Sequence, residues 1–200
     1  MKVQNSSVNT IPALTWRWLN VNEANVNGID IADIPEYGKP YLDANVPGGA
    51  YMKGMNRGLE ADDNIRYFVN KNEKFGVSDE YVQLAEQSYN SGIFIQVPSN
   101  FSAESPVMIR YQMDGDDPLV IDDNIIELHE NSSLTVVFDY SSADDVDAFH
   151  NGVTKIYAMD GSVLNIIVVQ RMKGESLNFN SIVSYQGRGA KVNYVQAEIG

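Results

Sequence analysis

The chain has no cysteine. Disulfides, thiolate zinc sites, cysteine nucleophiles and cysteine-ligated iron–sulfur clusters are therefore excluded within it. Basic side chains are scarce: 14 Lys and Arg stand against 27 Asp and Glu, for a net charge of −13 and a pI near 4.4. No cluster of bases occurs, so neither nucleic acid nor an anionic membrane surface is an expected partner. Long apolar runs are missing too. Met1-Lys2-Val3-Gln4-Asn5 lacks the apolar stretch of a secretory signal, and nothing approaches the roughly 20 apolar residues that cross a bilayer. A cytoplasmic location is the expectation, which makes the sequons at Asn5, Asn100 and Asn131 meaningless. Histidine is limited to His129 and His150.

What is present suffices for one domain with a real core, since 200 residues carry 44% hydrophobic side chains. Residues 1–90 and 91–200 read differently. In the first part, Thr15-Trp16-Arg17-Trp18-Leu19-Asn20 opens a short amphipathic helix with Thr15 as cap. Pro35, Gly38, Pro40 and Pro47 argue against a long regular element between Gly28 and Pro47. The strongest helix signal is Ser78 to Gln87: Ser78 caps, Asp79 and Glu80 sit at the positive end, and Tyr81, Leu84 and Ala85 share a face.

From Ser91 onward the apolar period changes from about 3.6 to 2. Ile93, Ile95 and Val97 alternate, and Pro98 closes that strand. Acidic breaks at 114–118 and 141–147 set off Leu119-Val120-Ile121, Ile125-Ile126-Glu127-Leu128 and Val153-Thr154-Lys155-Ile156-Tyr157. Strands over Val163–Gln170, Asn178–Tyr185 and Lys191–Ile199 follow. Superimposed on them is a degenerate repeat. Asn131-Ser132-Ser133-Leu134-Thr135-Val136, Gly161-Ser162-Val163-Leu164-Asn165-Ile166 and Gly189-Ala190-Lys191-Val192-Asn193-Tyr194 align without gaps, each a turn residue, a small residue and alternate apolar positions. Leu134, Leu164 and Val192 lie 30 and then 28 residues apart, and a weaker copy places Val107 with Leu134, 27 residues earlier. A fixed period of this length places similar side chains above one another in successive coils, which is a β-solenoid. The pattern runs to Ile199, so the last coil is expected either to continue in a longer protein or to be covered by a partner.

Several segments, in order, resemble the SufB/SufD family of Suf iron–sulfur cluster assembly scaffolds. They are Pro12 to Leu19, Ser91 to Pro98, Glu130 to Ser142 (with Asp139-Tyr140-Ser141-Ser142), Phe149 to Tyr157 (with His150-Asn151-Gly152-Val153) and Gly187 to Val195. The resemblance implies an N-terminal helical region followed by the front of a right-handed parallel β-helix. In the family, the back of the β-helix and a C-terminal helical domain carry the contacts to the SufC ATPase, the dimer contacts, and the cysteine and histidine linked to cluster assembly. No position of this chain matches those residues.

Other constellations have plainer readings. A metal site would need His129 and His150 to converge with Glu127, Asp139 or Asp147; the solenoid register separates them, leaving two exposed or turn-bound histidines. Asp62-Asp63, Asp114-Asp116-Asp117, Asp122-Asp123 and Asp144-Asp145-Asp147 lack the order of a calcium loop, and read as solvated loops between coils rather than paired acids of a glycosidase. Gly187-Arg188-Gly189 lacks the lysine and helix of a phosphate loop. Trp16 and Trp18 anchor the N-terminal segment, and Asn178, Asn180 and Asn193 form polar ladders.

The sequence is therefore read as mainly β: a parallel β-helix over 91–200, preceded by a mixed α/loop region over 1–90. The function implied is a non-catalytic SufB/SufD-like scaffold component, a fragment or short form without the ATPase-binding and cluster-handling part. No catalytic, cofactor-binding or metal residue is assigned, and no cofactor is expected on this chain. A SufC-like ATPase and a SufB-like subunit are the expected partners of the full-length protein, with self-association through the β-helix edge. The alternative is a β-helix that binds or cleaves carbohydrate, which a glycan array would reveal.

Overall fold

The computed structural model describes residues 34–42, 47–55, 65, 68, 75–76 and 79–200. The Thr15 helix, Trp16, Trp18, Asp62, Asp63 and the Ser78 cap lie outside the described residues.

Nine strands and one helix order the described chain: β1 (Tyr51–Gly54), α1 (Asp79–Ser88), β2 (Ser91–Val97), β3 (Val107–Met113), β4 (Leu119–Leu128), β5 (Ser133–Ser142), β6 (Phe149–Ala158), β7 (Val163–Arg171), β8 (Leu177–Gln186) and β9 (Lys191–Glu198). One sheet runs β1-β2-β4-β6-β8 and the other β3-β5-β7-β9. Every neighbour pair is parallel except β1 with β2. Each coil gives one strand to each sheet, so the fold is a parallel β-solenoid of four coils. A small helical element precedes it, as the sequence pattern indicates.

The repeat is the pairing register. Leu134 faces Leu164, and Leu164 faces Val192. The earlier copy needs a correction: Val107 faces Val136, not Leu134. The slip is two residues, so every side chain keeps its face. Its cause is local. Ser102 bridges Ser133, so the five steps from 102 to 107 span what three steps span in the next coil. The extra residues include Pro106, which offers no N–H to the ladder.

At the turns the stacking is equally regular. Asn100, Asn131, Gly161 and Gly189 have φ of 60°, 55°, 71° and 73°, the left-handed region that Gly and Asn tolerate. The N–H groups of Asn100, Asn131 and Gly161 donate to the carbonyls of Glu130, Asp160 and Arg188 in the following coil, at 2.9–3.0 Å.

Two cores result. Inward residues of both sheets fill the solenoid, among them Ile95, Ile126, Ile156, Phe138 and Val168. Outward residues of the first sheet, including Phe94, Ile121, Ile125, Phe149 and Val153, form a second core with Tyr81, Val82, Leu84 and Ala85 of α1. Strand β4 is thus buried on both faces. That overturns the reading of Asp122-Asp123 as a solvated break: one continuous strand passes through both acids. Likewise β6 begins at Phe149 rather than Val153, so it includes His150.

Candidate functional site

The period-2 geometry of β4 sends Asp122 and Asp123 to opposite faces. Each founds a buried polar cluster.

Asp122 points into the solenoid, where it is fully buried. Its Oδ1 lies 2.8 Å from Nε2 of His150, also fully buried. Its Oδ2 accepts hydrogen bonds from the Tyr140 hydroxyl and the Asn124 amide, both at 2.7 Å. The other ring nitrogen of His150, Nδ1, lies 2.5 Å from Oδ1 of Asn178 on β8. Gly152 makes room for the pair: a Cβ there would sit 2.5 Å from Asp122 Oδ1 and 2.8 Å from His150 Nε2. Aromatic rings wall the cluster. The Tyr140 ring is 4.0 Å from the His150 ring, Tyr111 stacks on Tyr140 at 5.3 Å, and Tyr41 on Tyr111 at 5.0 Å.

The electrostatics follow from burial and contact. Burial pushes the Asp122 carboxyl up, but the His150 charge and three hydrogen bonds outweigh it and hold the group below its ordinary range. Burial, reinforced by the Asp122 charge, drives the hydroxyls of Tyr140 and Tyr111 well above the usual tyrosine range.

Asp123 points outward under α1. Lys155, fully buried on β6, sits 2.9 Å from Glu86 Oε1 on α1 and 3.3 Å from Asp123 Oδ1. Burial raises the Asp123 carboxyl to about 6, against the pull of Lys155. For Lys155 burial acts downward, and Asp123 with Glu86 more than compensates. Asn151, its neighbour on that face, donates to the Tyr81 carbonyl at 2.9 Å. The helix is thus held to the sheet by buried polar contacts as well as by its apolar face.

The residues weighed for a metal do not converge. His150 is neither exposed nor in a turn, a correction to the sequence reading. His129 lies 3.6 Å from Glu127, which binds Gln96 at 2.6 Å. Asp139 holds Arg171 through both oxygens, and Asp147 accepts from the Glu175 backbone N–H. Among the described residues, no three His, Asp or Glu side chains are grouped as ligands. Asp114 pairs with Lys39 and Asp144 with Lys173, beside exposed Asp116 and Asp145. The outward column Thr135–Asn165–Asn193 is a polar ladder, with contacts of 3.3 and 2.9 Å. Asn178 instead serves His150, and Asn180 shares an open depression on the last described coil with Ile182, Tyr194, Gln196 and Glu198.

The buried pair carried a readable signal. Asp122 has the parity of Val120, Ile126 and Leu128, and His150 falls 30 residues after Val120 and 28 before Asn178. Those spacings are the repeat itself.

Comparison with known proteins places these coils. Residues 111–200 match the SufBD core domain of the SUF system for iron–sulfur cluster assembly. This part of the chain is SufB/SufD-like. Over 107 residues the chain is 26% identical to the iron–sulfur cluster assembly protein SufD of Bacillus subtilis (strain 168), a stretch that is 52% of this chain and 24% of that protein. The SufBD-core match contains Asp122, Asp123, Tyr140, His150, Gly152, Lys155 and Asn178. The interior cluster lies wholly within the matched coils, whereas Glu86 and Tyr81, which meet Lys155 and Asn151 from α1, lie outside them.

Proposed function

We propose that this chain is a non-catalytic scaffold element of cytoplasmic iron–sulfur cluster assembly, its solenoid a rigid spine against which partner subunits are positioned. The observation that carries the reading is the coincidence of the SufBD-core match with the stacked coils from Tyr111 onward. The relative's name, a SufD cluster assembly protein, supports the same process. The side chains able to do acid–base work support a structural role, because Asp122, Asp123, His150 and Lys155 are spent on joining coils and helix. Nucleotide hydrolysis and cluster chemistry then belong to partners, a SufC-like ATPase and a SufB-like subunit.

Co-expression with the SufC-type ATPase and SufB-type subunit of the same organism tests this. The expected result is a defined complex by size-exclusion chromatography with light scattering. Absence of any complex with either, together with specific retention on a glycan array, would replace the reading by the carbohydrate one. Anaerobic reconstitution of the isolated chain is expected to leave it without a stoichiometric, visible-absorbing cluster.

A further inference from the structure

One ammonium serves two carboxylates where α1 meets the sheet. Lys155 Nζ, fully buried on β6, lies 2.9 Å from Glu86 Oε1 on the helix and 3.3 Å from Asp123 Oδ1 on β4. The fully buried Asp123 is poorly served. Its Oδ2 takes one long hydrogen bond of 3.4 Å from Lys155, and its Oδ1 accepts none. Asp122, one residue earlier, accepts from Tyr140 and Asn124 and faces His150. Two carboxylates that share one cation away from water are not both compensated, and the one with fewer donors takes up a proton first. That one is Asp123, on which burial and the Glu86 charge both act upward.

We propose that Asp123 and Glu86 compete for Lys155, so that a proton on Asp123 tightens the seat of α1 on the sheet and its loss loosens it. Among the described residues the charges around this site are few. Glu86 comes from α1, whose other acids, Asp79 and Glu80, stand in its first turn, about 10 Å along the axis. From β6 comes Lys155. On β4 itself Asp122 lies on the opposite face, and Glu127, further along the same face, is held by Gln96 at 2.6 Å. β2 places Gly92 and Phe94 beside this stretch, and β8 places the neutral Ser181 and Val183 beside Val153 and Lys155.

With the proton on Asp123, one ammonium faces one carboxylate, and a balanced pair joins helix to sheet. Once the proton leaves, Lys155 is shared with an acid of its own sheet, and one negative charge in excess lies beneath the helix. Lifting α1 lets water reach Asp123 and relieves that charge. The relief falls on the helix because of how each element is held. β4 and β6 are hydrogen-bonded to a strand on both sides. α1 is held to them by its apolar face, the Glu86–Lys155 pair and the bond from Asn151 to the Tyr81 carbonyl. Its opening bares the outward apolar residues Ile125 and Val153.

The test is amide hydrogen exchange of the full chain across this pH range, corrected for intrinsic exchange rates and repeated at low urea. Protection factors of α1 are expected to fall about tenfold or more as pH rises through about 6. Their urea dependence should be weaker than that of β4, the mark of an opening smaller than the whole molecule. Asp123→Asn, neutral at every pH, should hold α1 at the protected level throughout. Glu86→Gln, which leaves Lys155 to Asp123 alone, should lower α1 protection at acid pH and move the remaining transition to lower pH. Constant α1 protection across the range overturns the latch. So does α1 exchange with the protection and urea slope of β4, because the helix then has no opening of its own. His129 and His150 remain in Asp123→Asn, so a pH dependence that survives in that variant belongs to another group and overturns the latch too.

Discussion

His150 Nε2 lies 2.8 Å from Asp122 Oδ1, with neither side chain reaching solvent, across a strand position occupied by Gly152. Removing one partner of a buried ion pair strands the other, a loss of about 3–5 kcal/mol. Asp122→Ala is expected to fall in that range in urea denaturation, with Asp122→Asn losing less because it still accepts from the ring. Equal losses for both would mean the charge is immaterial.

Gly152→Ala should destabilise by about 1–3 kcal/mol, the cost of overpacking a filled interior. Its Cβ enters the space between Asp122 and His150. Gly115 provides the contrast: nothing lies within 4 Å of a Cβ there, so Gly115→Ala should leave the urea midpoint nearly unchanged. A neutral Gly152→Ala would show that the pair does not need that space.

Asp123 predicts a pH effect of definite sign. Its carboxyl is raised from 3.8 to about 6 on folding, chiefly by burial, so the folded protein holds this proton more tightly. Its contribution therefore weakens the fold as pH rises through that interval, then levels off above about 6. Asp123→Asn should remove this slope. Asp122 acts in the opposite sense: its lowered carboxyl stabilises above the ordinary carboxylate range, and that support is lost as pH falls below it. Stability measured from pH to pH in both variants separates the two.

Lys155→Met leaves Asp123 and Glu86 without their buried cation, at about 3–5 kcal/mol. Because Asp123 can escape by taking up a proton, the loss should be larger at neutral pH than at acid pH. A pH-independent loss would mean that packing of the Lys155 stem, rather than its charge, holds α1.

Surface and turn positions should behave differently from these. Arg171 and Asp139 form a well-aligned but partly exposed pair, so Arg171→Gln should cost about 1 kcal/mol or less. At Asn131, with φ of 55°, Asn131→Ala should cost about 1–2 kcal/mol, whereas Asn131→Gly should be milder. Equal melting of the two Asn131 variants would deny the turn its conformational demand.

Much of the fold was legible in the sequence because a solenoid writes its own register. The spacings joining Leu134, Leu164 and Val192 are the observed pairings. The α1 face was legible as well, since Tyr81, Leu84 and Ala85 follow helical spacing and are buried. Less legible was the Val107 row, because two extra residues between Ser102 and Val107 leave parity intact and so leave no mark in the alternation.

By itself, the sequence determined the period of the later coils, the alternation of their faces, and the turns at Asn131, Gly161 and Gly189, all of which are local or strictly periodic properties of the chain. Only the tertiary structure decided what the acids and the histidine do. Asp122 and Asp123 are neighbours in sequence, and polarity alone marks them as solvent-facing. Their roles as an interior ion pair and a helix anchor depend on His150, Asn178, Lys155 and Glu86 arriving from other elements. A buried charge is stable only with its partners in place, and those partners are assembled by folding.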